Sequence, residues 1–156
     1  MTARIPARHA LTALYWLLAT QFAVGAVAKF MPGESFFGPS YSVKFVEWGY
    51  PSWMRFVVGG LELLSAVLFL IPGRRTRFLG ATTLVFVLTG AVTTHIVNHD
   101  AWSESIAAPT LLVVNGVLAL ATWPADWRDL LRPPARSADD VPAAPVRVPV
   151  ATRSAY

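Results

Sequence analysis

Trp53-Met-Arg-Phe-Val-Val-Gly-Gly-Leu-Glu62-Leu-Leu-Ser-Ala-Val-Leu-Phe-Leu-Ile71 is an apolar run with a carboxylate near its middle. A helix rises 1.5 Å per residue, so about 20 mostly apolar residues cross the ~30 Å hydrocarbon core. Burying a carboxylate there is costly, and such residues face a bundle interior or a cavity and mark a site. Glu62 therefore predicts a membrane protein with a polar interior.

Three more runs of similar length surround it: Ala10–Ala28, Phe78–Val97 and Ile106–Trp123. A 156-residue chain with 54% hydrophobic and 14% charged residues is too apolar and too poor in charge for an ordinary soluble domain. The expected fold is all-α: a polytopic membrane protein, an antiparallel four-transmembrane-helix bundle over residues 1–132. Beyond Arg132 the chain becomes a Pro/Ala-rich tail, 133–156, without periodicity, expected to be disordered and cytoplasmic.

The net charge of +4 does not point to nucleic acid, because the arginines are spread between apolar runs instead of forming one basic face. They act better as topology signals. Arg4 and Arg8 precede the first run, Arg74, Arg75 and Arg77 separate the second from the third, and Arg128, Arg132, Arg136, Arg147 and Arg153 follow the fourth. On the other side Lys29, Lys44 and Arg55 are offset by Glu34, Glu47, Asp100 and Glu104. The positive-inside rule then places both termini in the cytoplasm. The first run, with Ala26-Val27-Ala28 before Lys29, also fits a signal peptide, but it is as long as a full span.

Between the first two runs, residues 31–52 are crowded with Phe36, Phe37, Tyr41, Phe45, Trp48 and Tyr50, an aromatic set suited to the outer headgroup level. A short amphipathic turn is expected around Ser42 to Gly49. Pro72-Gly73 ends the second run, and Arg74-Arg75-Thr76-Arg77 reads as a tight turn that makes an antiparallel hairpin. Trp127 and Arg128 read as an interfacial anchor after the fourth.

Counting inward from the outer end, Glu62 lies about 13 Å deep, Asn115 lies as far below Ile106, and Gln21 is eight residues inward from Lys29. These three are expected to share one depth and one hydrogen-bonded layer. At 100° per residue Arg55, Gly59, Glu62 and Ala66 share a face, as do Gln21, Gly25 and Ala28, and Ala108, Leu112, Asn115 and Ala119. Above the layer, Lys29, Arg55 and His95 would line a cationic vestibule open to the outside. The other reading of the layer is interhelical glue, with Lys29 and Arg55 as interfacial anchors.

His95 and His99 have the spacing that puts two imidazoles on one helix face, but the only other histidine, His9, lies at the opposite side, so no multi-histidine metal or haem site is expected. The chain has no cysteine, which leaves no thiol relay and no iron–sulfur ligation. No cofactor of its own is expected, so any redox role would take electrons from a partner protein.

Gly25-Ala-Val-Ala-Lys29-Phe, Gly49-Tyr-Pro51, Gly59-Gly-Leu-Glu62-Leu-Leu, Ile71-Pro72, Gly80, and Gly90-Ala91 followed by His95 together resemble the DoxX-like family of small four-helix membrane proteins. The resemblance covers roughly Leu11 to Trp123. It implies a prokaryotic plasma-membrane bundle, associated in some members with a quinone-linked oxidoreductase. The family's recurrent Lys, Glu and His match Lys29, Glu62 and His95, without an established catalytic role. The expected function is an accessory membrane subunit that binds a quinone-like or other small amphipathic ligand through Glu62, Gln21, Asn115, Lys29, Arg55 and His95. Its expected partners are the lipid bilayer and a redox protein, with a homo-oligomer left open. The alternative is a non-catalytic assembly or scaffold protein.

Overall fold

A computed structural model describes residues 7–33 and 39–125. Expectations for Arg4, Glu34, Phe36, Phe37, the Trp127–Arg128 anchor and the tail fall outside these residues. The described chain contains six helices and no strand: α1 (Ala7–Phe30), α2 (Tyr41–Glu47), α3 (Met54–Leu70), α4 (Arg74–Val97), α5 (Trp102–Ser105) and α6 (Ala107–Ala121).

Among the described residues three segments are long and apolar enough to cross a membrane: His9–Phe30, Arg74–Val97 and Trp102–Ala121. The decisive run forms α3, whose 17 residues rise about 26 Å. It stops where Pro72 forces the preceding residue out of the helical region, and Ile71 accordingly has ψ 119°.

Contact pairs define the packing. Along α1 and α3, Arg55 meets Lys29 and Met31, Glu62 meets Lys29, and the rings of Phe69 and Tyr15 lie 5.3 Å apart. These two helices are antiparallel. So are α3 and α4, which turn at Pro72-Gly73, and α4 and α6, where the rings of Phe78 and Trp123 lie 5.6 Å apart. Tyr15, Leu18 and Phe22 of α1, Phe69 of α3, Leu84 and Leu88 of α4, and Leu118 of α6 belong to one buried cluster.

The interior is rich in small residues. Ala26, Ala66, Ala81, Ser65 and Gly59 are buried, whereas Trp16, Leu17, Phe86, Val113 and Leu120 are exposed. A water-soluble protein puts its large apolar residues inside. Outward leucine and valine around close contacts of small residues is how helices pack in lipid, where no hydrophobic force drives them together. The protein is an integral membrane protein.

Two expectations about boundaries need correction. The arginines do not form a loop: Pro72-Gly73 alone makes the turn, and Arg74, Arg75 and Arg77 occupy the first turn of α4. Arginine is a good helix former, so the helix begins as soon as the glycine is passed. His95 and His99 do not share a helix face either. α4 ends at Val97, and His99 has φ 54°.

The ends of α2 and α4 share one device. Gly49, with φ 80°, donates its N–H to Val46 O, and Tyr50 N–H reaches back to Phe45 O. At α4, His99 N–H bonds Ile96 O and Asp100 N–H bonds His95 O. Both are Schellman endings, in which the left-handed position favours glycine. His99 is exposed and strained there. His99→Gly is therefore expected to stabilise the protein by about 0.5–1 kcal/mol, since relief of the left-handed penalty exceeds glycine's extra entropy. A thermal melt in detergent that falls instead of rising would contradict this.

Candidate functional site

The polar groups gather at the end where α1 finishes and α3 begins. There Lys29 Nζ donates to both carboxylate oxygens of Glu62, at 2.8 and 3.1 Å. The two residues are only 9% and 7% exposed, so this is a buried ion pair bridging two helices. Lys29 Nζ also reaches Gly25 O at 3.4 Å and lies 4.7 Å from the centre of the Tyr41 ring. The pair is thus closed on one side by α1 backbone and on another by the first residue of α2.

Helix geometry explains why these two meet. Every Cα–Cβ bond tilts toward its helix N-terminus. In antiparallel helices the Lys29 side chain therefore leans down α1 while Glu62 leans up α3. A long aminobutyl chain spans the remaining gap. Gly59 keeps the helices close: a Cβ there would stand 3.3 Å from Lys29 Cβ, whereas one on Gly25 would make ordinary contact with Glu62 Oε2 at 3.7 Å.

Arg55 is not a free cation of a vestibule. Its Nη1 donates to Lys29 O at 2.9 Å and Met31 O at 2.8 Å, taking up carbonyls that α1 leaves unsatisfied at its C-terminus. A cation is favoured there by the helix dipole. Arg55 thereby fixes the end of α1 against the start of α3, above the ion pair.

The expected three-helix layer does not form. Gln21 is exposed on α1. The buried face runs Tyr15, Leu18, Phe22, Ala26, Lys29, and Gln21 is turned about 100° from Phe22. Asn115 is fully buried, but its amide donates to Leu111 O of its own helix at 2.8 Å and its Oδ1 has no partner. Neither amide bonds Glu62, whose hydrogen-bond partner among the described residues is Lys29.

His95 belongs to a second cluster at the same end. Its Nδ1 and Asp100 Oδ2 are 2.6 Å apart, and Trp48 Nε1 donates to the same oxygen at 3.1 Å. The Trp48 ring stands edge-on to the imidazole at 5.4 Å. Tyr50 donates to Thr94 Oγ1 at 3.0 Å, because the threonine's own proton goes to Gly90 O. Lys44 reaches Glu104 at 2.8 Å. Through these bonds α2 spans from the ion pair at Tyr41 to the α4 end at Trp48 and Tyr50.

Sequence reasoning missed Tyr41, Trp48 and Asp100 as members of the site. The aromatics read as an interfacial belt, although the Gly49-Tyr-Pro51 turn could have marked α2 as a packed element. Asp100 follows His95 by five residues, the offset that a Schellman ending closes.

What this arrangement can do is set by the pair. An ammonium and a carboxylate held away from both water and lipid can exchange their mutual bonds for bonds to a carbonyl or hydroxyl ligand. A groove of about 270 Å³, lined by Ala23, Val24, Val27, Ala28 and Met31, runs along the face of α1 turned away from Lys29. It is apolar throughout.

Residues 13–122 match the family model of the DoxX-like family, from within α1 to the end of α6. No curated protein and no solved structure matches the chain. The matched region covers more than half of the chain and holds both polar clusters, so the chain belongs to the DoxX-like family.

Proposed function

We propose that this protein is an accessory membrane subunit of a redox system that binds a quinone-like or similar small amphipathic molecule at the α2 end. In this reading α1, α3, α4 and α6 all cross a bacterial plasma membrane as an antiparallel four-helix bundle with cytoplasmic termini. The observation that carries it is the buried Lys29–Glu62 pair. Intramembrane ionisable groups are retained for function, and a buried pair adds little stability over an apolar substitute.

Lys29 would donate to a ligand carbonyl, and Glu62 would accept from a hydroxyl once the carbonyl is reduced. Tyr41 and α2 would close over the head. The chain supplies no thiol, so electrons would come from a partner protein.

One observation favours a second reading, a scaffold whose polar groups only fix helix packing: both Glu62 oxygens are already held by Lys29. Thermal stability of detergent-purified wild type and Glu62→Gln, titrated with quinones and other hydrophobic molecules, separates the two. Ligand binding stabilises by mass action, about 2.7 kcal/mol at a hundredfold excess over Kd. The proposal expects a concentration-dependent rise of several degrees in wild type that Glu62→Gln loses. No rise with any compound, in either protein, returns the pair to packing.

A further inference from the structure

Gln21 stands near the middle of α1, nine residues from Phe30 and twelve from His9 along a 22-residue span. At 1.5 Å per residue it lies about 13 Å from the nearer end, well inside a ~30 Å hydrocarbon core. Its side chain is exposed and has no hydrogen-bond partner among the described residues. The exposed hydroxyls of Thr20, Thr89, Thr93 and Thr110 differ, because each donates to a carbonyl of its own helix. A primary amide has two donors and an acceptor, and acyl chains offer partners for neither. It is also too short to reach a headgroup layer from that depth. Polar side chains in a span almost always face protein, so Gln21 marks a face of α1 that is covered in the membrane.

The residues around it say what covers it. Leu14, Leu17, Gln21 and Val24 recur at intervals of three and four, the a and d spacing of a two-helix seam. Leu17 and Val24 are exposed, Leu14 is half-buried at the edge of the core, and the small Ala13 and Thr20 beside them are exposed too. Small flanking residues let two helices approach closely in lipid. One turn further on, Ala28 is buried within the chain, so the seam runs from Leu14 to Val24.

Copies of one chain enter the membrane in the same orientation. A two-fold axis between them therefore runs along the bilayer normal, and each residue on it meets its own counterpart at equal depth. An amide is self-complementary across such an axis, since each NH2 can donate to the other carbonyl, whereas a carboxylate or an ammonium would repel its counterpart. A single polar residue at an a position also fixes register and partner number.

We propose that the chain forms a parallel two-fold dimer through α1, in which Gln21 and the partner subunit's Gln21 exchange two hydrogen bonds in the middle of the membrane. Leu14, Leu17 and Val24 pack on either side of them. Lys29 is turned about 80° from Gln21 around α1, so the ion pair stays inside each protomer. The dimer needs no ligand and stands whether or not the ion pair binds one.

The chain has no cysteine, so single cysteines report the seam without background. In vesicles holding the full chain, mild oxidation is expected to cross-link Leu17→Cys and Val24→Cys into dimers at least about fivefold faster than Val27→Cys and Val113→Cys, which are exposed on other faces. Energy transfer between labelled copies, followed as the protein is diluted in lipid, gives the dimer affinity. Gln21→Leu is expected to weaken it about tenfold, and Gln21→Asn to keep part of it. Because Gln21 lies outside the core, both variants should melt with wild type. If Gln21→Leu does not fold, Gln21→Asn and the cysteine variants carry the test. Monomers at every dilution overturn the dimer, as does an affinity that Gln21→Leu leaves unchanged, or cross-linking with no preference for the Leu17 and Val24 face.

Discussion

Replacing Glu62 with alanine is expected to destabilise the protein by about 3–5 kcal/mol, more than any other single change at the polar site. The carboxylate leaves behind the Lys29 ammonium, 9% exposed, whose remaining partners are a carbonyl at 3.4 Å and the face of Tyr41. An uncompensated charge in a span is far worse than no charge at all. The double variant Lys29→Met/Glu62→Leu should therefore recover most of the loss, because two apolar side chains of similar volume fill the same gap without desolvating ions. Unfolding of wild type, both singles and the double in one detergent gives the coupling directly. If Glu62→Ala melts with wild type, the pair does not exist. The double variant also bears on function. Restored stability without any ligand response fits a site whose chemistry needs the charges, whereas a response equal to wild type leaves the pair as packing alone.

How the pair escaped the sequence reading is instructive. Hydropathy located the helices, three of which are long and apolar enough among the described residues to cross a membrane, and a single glutamate in an apolar run pointed to the buried polar centre. Its partners are not legible in the same way, because depth along the backbone does not give the level that a long side chain reaches. Lys29 and Glu62 lie at different backbone levels, and side chains that tilt toward opposite helix N-termini close the difference. The stripe with Gly25 and Ala28 puts Gln21 on the buried face. A core face drifts along a helix of this length, and Gly25 and Ala28 border it where Gln21 no longer does. His99 looked like a helix residue because nothing in its type announces a left-handed turn, and only the chain reversal into Asp100 shows it. The orphaned hydroxyl of Tyr15 was not legible at all, since it depends on α1 and α4 meeting.

Gly80→Val is expected to produce the next largest loss, about 2–3 kcal/mol, through packing instead of charge. A Cβ at Gly80 would stand 3.1 Å from two atoms of the Phe69 ring and 3.2 Å from Ser65 O. Phe69 is 2% exposed and packs at a tilt of 55° against Tyr15, so the ring has nowhere to retreat. The Ser65 carbonyl is helical backbone, so relief requires α3 and α4 to separate. Gly90 lies on the same helix with nothing within 4 Å of a would-be Cβ, so Gly90→Val should change stability little. That contrast removes the general effect of glycine replacement from the comparison. Gly59→Val extends the argument to the site, because its Cβ would press on Lys29 Cβ at 3.3 Å and Ala26 O at 3.4 Å. Forcing α1 from α3 there stretches the ion pair itself. Gly59→Val should accordingly lose ligand-induced stabilisation along with intrinsic stability, whereas Gly80→Val, once folded, should keep the ligand response. Equal melting temperatures for Gly80→Val and Gly90→Val would show that α3 and α4 do not pack this closely in the membrane.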